Sequence, residues 1–178
     1  MLIPAQIKIE LPTDTTWGDL AKGDVIVHQY ANGRRKNVTV VTPAGEADER
    51  GIAKMQVRTG ETGQPYIINV RLGNKISDLG AVRSRIYRTC ARLRDGITWG
   101  EVRYGDVIRT TYQGWVWVDW IVLREITTPD PATGLGVIVV ASDGMPLEYQ
   151  ARPGEAVGER NQGVTTAYRP VAFMPTTV

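Results

Sequence analysis

The chain has 178 residues, 42% of them hydrophobic and 22% charged, with 21 Lys and Arg against 19 Asp and Glu. This balance excludes a disordered chain, and with no run of about 18 apolar residues no helical membrane span is expected. One cysteine, Cys90, cannot close an internal disulfide and one histidine, His28, leaves little for a zinc site; no metal or cofactor is therefore expected, and a reducing cytoplasm is the expected location.

In chain order, the N-terminal stretch MLIPAQIKIELPTD has no basic start followed by an apolar block, so no secretory signal is expected. Within this extension, residues 1–15, the alternating IKIEL predicts an edge strand. TWGDLAKGDVI follows at 16–26. Its Gly23 and Asp24 predict a turn, in which glycine takes a positive φ and the carboxylate accepts hydrogen bonds from turn N–H groups. GDVIVHQY, NVTVVT, AKMQVRT, PYIINVR and IYRTCAR then read as strands separated by turn signals such as Asn32-Gly33 and Gly60–Pro65. RLRDGI, 92–97, reads as a linker. From residue 98 the pattern starts again with TWGEVRYGDVI, where Gly105 and Asp106 predict the same turn, and GDVIRTTY, WVWVDWIVL, GVIVVAS, PLEYQAR and AYRPVAF read as strands.

This second start is a repeat. Of the 15 pairs formed by residues 16–30 and 98–112, 8 are identical. An offset of 82 persists to Val40/Val122, and an offset of 81 then matches Arg71/Arg152, Tyr87/Tyr168 and Arg88/Arg169, so a single one-residue gap is expected. Two copies are too few for a solenoid, and a tandem duplication is expected. The expected architecture is all-β: two small SH3-like or OB-like barrels, 16–91 and 98–178, since closure removes exposed strand edges.

No nucleophile elbow, phosphate loop, metalloprotease helix or Cys-x-x-Cys pair occurs, so no enzyme is expected. A His28–Cys90 dyad has little support, because the second copy places Thr110 and Val171 there. Two surfaces stand out instead. Residues 13–94 hold 14 Lys and Arg against 8 Asp and Glu, and residues 95–178 hold 6 against 10. The two halves either face each other, or the basic one meets nucleic acid. The candidate basic face comprises Arg34, Arg35, Lys36, Arg83, Arg85, Arg88, Arg92 and Arg94, with Tyr87 near enough to stack on a base.

The second surface lies on WVWVDWIVL, where Trp120 and Val122 match the core residues Val38 and Val40. The opposite face carries Trp115, Trp117, Asp119 and Ile121, whereas its counterpart in the first copy is Gly33, Arg35, Asn37 and Thr39. An apolar face where its duplicate is polar is expected to be covered by the first unit, a second copy of the chain or a protein partner.

The turn-and-strand pattern Leu20, Gly23, Asp24, Val25, Ile26, repeated as Val102, Gly105, Asp106, Val107, Ile108, resembles SH3-like barrels of the KOW type. It is also similar to small proteins of bacteriophages that infect actinobacteria. KOW-like barrels often bind RNA or the transcription machinery, although KOW units are much shorter than 76 residues. The resemblance implies a non-enzymatic interaction protein in the host cytoplasm that binds a host or phage macromolecule. The alternative is a virion component, such as a capsid decoration or head–tail protein.

Overall fold

The computed structural model describes residues 6–60, 62–112, 116–159 and 163–173. The chain is all-β. Its strands are β1 (Gln6–Glu10), β2 (Val25–Tyr30), β3 (Arg35–Thr42), β4 (Ile52–Thr59), β5 (Tyr66–Arg71), β6 (Ala81–Arg92), β7 (Val107–Tyr112), β8 (Val116–Arg124), β9 (Gly136–Ser142), β10 (Met145–Ala151) and β11 (Val164–Pro170). They form one antiparallel sheet of 11 strands in the order β10-β9-β8-β7-β11-β6-β2-β3-β4-β5, with β1 also on β6. The alternating segments of the sequence became these strands because one face of each meets an apolar interior and the other faces outward.

Two compact units divide the chain: Lys8–Thr89, and Met1–Ile7 with Cys90–Val178. In the first, Ile26, Val38, Val40, Met55, Val57 and Ile86 are buried on the inner face. In the second, Trp99, Val102, Ile108, Val122, Ile138 and Val140 form the core. The strand pairing in each unit is an open path rather than the closed ladder expected of a barrel. β5 pairs with β4, and its far edge is not taken up by β6 among the described residues. Instead, the segment before β2 arches over the end of β5, where Trp17 N donates to Asn74 O at 3.2 Å and Gly18 N donates to Leu72 O at 3.0 Å. These bonds satisfy backbone groups that a bare edge would leave open.

The second unit contains the same arch. Trp99 N donates to Glu155 O at 3.1 Å and Gly100 N to Pro153 O at 2.8 Å. Each arch is a single 3₁₀ turn, Trp17–Asp19 or Trp99–Glu101, closed by a capping box from Thr16 or Thr98. Gly23 and Gly105 follow with φ of +88° and +81°, in the left-handed region that favours glycine, and each donates its N–H across to Val40 O or Val122 O at 2.8 Å. The strand registers require more than one gap when the two units are laid against each other. Val57 opposes Val40 as Val140 opposes Val122, an offset of 83 that returns to 81 at Leu72 and Pro153. Loop lengths on both sides of β4 and β9 therefore differ, where sequence identity alone showed a single lost residue.

Candidate functional site

Each arch is locked from below by a buried ion pair. Asp24 Oδ2 accepts from Ala21 N at 2.8 Å, as the turn chemistry predicted. Its carboxylate also accepts two bonds from Arg88, from Nε at 2.9 Å and from Nη2 at 2.7 Å, and Nη2 donates to Asp19 O at 2.7 Å. Asp106 is held in the same way by Arg103 N and Arg169, and Arg169 reaches Glu101 O at 3.1 Å. Asp24 is 1% exposed and Asp106 is fully buried. Arg88 is thus a structural residue and does not belong to the basic face expected from the sequence. It lies on β6 with its side chain on the inner face, beside the buried Ile86 and Cys90.

The remaining candidate cations divide three ways. Lys36 also points inward, where its Nζ pairs with Asp78 at 3.0 Å. Arg92 pairs with Asp95, and Arg94 with Glu101, in the second unit. Arg34 is exposed in the turn after Gly33, and Arg35, Arg83 and Arg85 share the outer face of the first unit. Register fixes that face in rows: Arg35–Gln29–Arg83, then Asn37–Val27–Arg85, then Arg58–Thr39–Val25–Tyr87. Arg58 was not expected there. Its alternation with the buried Val57 turns it outward, and its place opposite Thr39 follows from the β3–β4 pairing, which leaves no local signal in the sequence. The side-chain Nε atoms of Arg58 and Arg85 are buried without a hydrogen bond among the described residues. Glu10 is the nearest carboxylate to Arg85, at 3.6 Å from Nε.

On the second unit the equivalent rows carry different chemistry. Trp117, 56% exposed, lies under the Arg109 guanidinium at 5.1 Å, and Tyr168 lies 6.0 Å from it. Asp119 holds Arg109 in place through two bonds of 2.7 Å. Ile121 is half-buried between Val107 and Ala141. Trp115 lies outside the described residues. The face is therefore a fixed cation–aromatic platform, and at Trp117 it is not covered by the unit that carries it.

The inner faces also diverge. In the first unit a cleft of about 460 Å³ is lined by Trp17, His28, Val38, Val57, Tyr66 and Ile68, with Lys36 and Asp78 beside them. The second unit has a cleft of about 170 Å³, lined by the counterparts Trp99, Thr110, Trp120, Val140, Leu147 and Tyr149. Tyr30 Oη donates to Asp78 at 2.6 Å, and this bond with the Lys36 ammonium holds the Asp78 carboxyl at about 2. His28 Nδ1 is 2.8 Å from Ser84 Oγ, and burial lowers the pKa of the ring below its usual 6.5. Below about pH 6.5 the unfolded chain takes up a proton that the buried ring refuses, so stability falls with pH through that window. His28→Thr, which installs the residue of the other unit, is expected to remove this slope in urea titrations run between about pH 7.5 and 5.5.

Comparison with protein-family models, curated proteins and solved structures yields no match. No helix among the described residues is long and apolar enough to cross a membrane, and no cluster of three or more His, Cys, Asp or Glu among them could hold a metal ion.

Proposed function

We propose that the chain is a non-enzymatic binding protein, built by tandem duplication of one small barrel-like β unit, and that the outer face of its first unit holds the phosphate backbone of a nucleic acid. The reading rests on the arginines of that face. Arg35, Arg58, Arg83 and Arg85 share one side of β3, β4 and β6, and among the described residues the buried Nε atoms of Arg58 and Arg85 make no hydrogen bond, Arg85 having only a long ion pair with Glu10 at 3.6 Å. Buried donors without partners cost free energy, and phosphate oxygens would satisfy them in the bidentate geometry that guanidinium favours. Tyr87 on the same face offers a ring to a base. The duplication is supported by the two arches, the two positive-φ glycines and the two buried ion pairs, which recur bond for bond.

Fluorescence anisotropy with labelled single- and double-stranded DNA and RNA tests this function. Four neutralised phosphates give a slope of log affinity on log salt of about −3 for a single strand. Arg58→Ala with Arg85→Ala should reduce that slope by about half, since two of the four contacts are lost. Absence of binding to every probe at low salt would overturn the reading.

The exposed platform around Trp117 supports a second contact, with a protein partner or a second copy of the chain, and this is also the surface a virion component would use in a lattice. A dimer mass in light scattering that reverts to monomer on Trp117→Arg is the expected result for self-association. A monomer at every concentration would leave only a partner of different sequence.

A further inference from the structure

The contrast between the two inner clefts points to a ligand site. We propose that the cleft of the first unit binds a nucleobase, a flat and uncharged heterocycle, between Trp17 and Tyr66 with His28 at its base. The second unit shows what this fold does when the space is not needed: Trp120 stands where the first unit has Val38, Thr110 where it has His28, and the cleft shrinks from about 460 to about 170 Å³. The first unit keeps the larger space, which is within the range of small-molecule sites.

Three features select the ligand. The floor is apolar, made by Val38, Val57 and Ile68, and two aromatic side chains line it, as suits a flat ring that stacks. Lys36 and Asp78 neutralise each other at 3.0 Å, so neither offers an unpaired charge to a ligand, and Arg71 lies only at the exposed rim. His28 is 2% exposed, and its ring makes one hydrogen bond, through Nδ1 to Ser84. The other ring nitrogen has no partner among the described residues, and His28 lines the cleft, so a ligand's ring nitrogen or carbonyl can pair with it there. Free nucleosides carry no phosphate, so this site stands apart from the arginine face, and either can fail alone.

The experiment titrates adenosine, guanosine, cytidine and uridine into the ¹⁵N-labelled full chain at millimolar concentration. The expected result is saturable shifts with at least one nucleoside at Trp17, at His28 and at Asn74, which also lines the cleft. Val38→Trp copies the residue the second unit already accommodates, and it should weaken that binding at least tenfold while melting temperature holds. His28→Thr should weaken it by about tenfold, the scale of one lost buried hydrogen bond. Asn74→Ala, at an exposed loop position, provides a variant that leaves the core untouched and should also weaken binding. The proposal is overturned if no nucleoside produces saturable shifts at these residues, or if Val38→Trp and Asn74→Ala both fold and bind as the parent does.

Discussion

Arg88→Ala is expected to destabilise the first unit by about 3–5 kcal/mol, because it leaves the Asp24 carboxylate buried without its cation. Asp24 is 1% exposed and accepts two bonds from the guanidinium, so water cannot replace what is lost. Arg88→Lys recovers little, since one ammonium cannot span both carboxylate oxygens and also reach Asp19 O. Removing both charges with Arg88→Met and Asp24→Asn should cost less than Arg88→Ala alone, because no uncompensated ion remains. Urea denaturation of the three variants measures the order. A loss of under about 1 kcal/mol for Arg88→Ala would mean that solvent reaches the pair and that the arch is not locked by it. The same order is expected for Arg169 and Asp106 in the second unit.

Trp99→Ala should cost about 3–5 kcal/mol, the usual range for a large aromatic removed from a core. Trp99 is 6% exposed, belongs to the cluster with Val102, Ile108 and Ile138, and stacks tilted on Tyr149 at 5.2 Å. Its counterpart Trp17 is only half-buried at the edge of the larger cleft, so Trp17→Ala should cost roughly half as much. Equal losses at the two positions would show that the clefts are not different in packing, and the contrast between them would lose its energetic basis.

The strands were legible in the sequence because alternation of side chains reports directly on a one-sided sheet, and glycines at positive φ punctuated it. Trp117 was rightly set opposite Val122 for the same reason. The open ladder of each unit was not legible, and closure was expected instead: whether a ladder returns on itself depends on twist and loop length, which leave no local pattern. The buried pairs were half visible. Asp24 with Arg88 and Asp106 with Arg169 recur together in both units, but partners so distant in sequence cannot be matched by spacing, and Arg88 was read with its exposed neighbours instead. Arg58 alternates with the buried Val57, but that it joins the arginines of β3 and β6 depends on which strands pair, and the His28 cleft escaped because Ser84, Asp78 and Lys36 meet only after three strands have paired.

The span of those ion pairs sets an order of events. Asp24 waits for a partner 64 residues later and Asp106 for one 63 residues later. During synthesis at about 5–20 residues per second, each carboxylate remains hydrated for several seconds before its arginine emerges. The arches over the ends of β5 and β10 can form early, but they cannot be sealed until β6 and β11 arrive, respectively. A nascent chain interrupted before Arg88 therefore holds a charged, unfinished interior, and each unit commits to its final packing only when its last strand is in place.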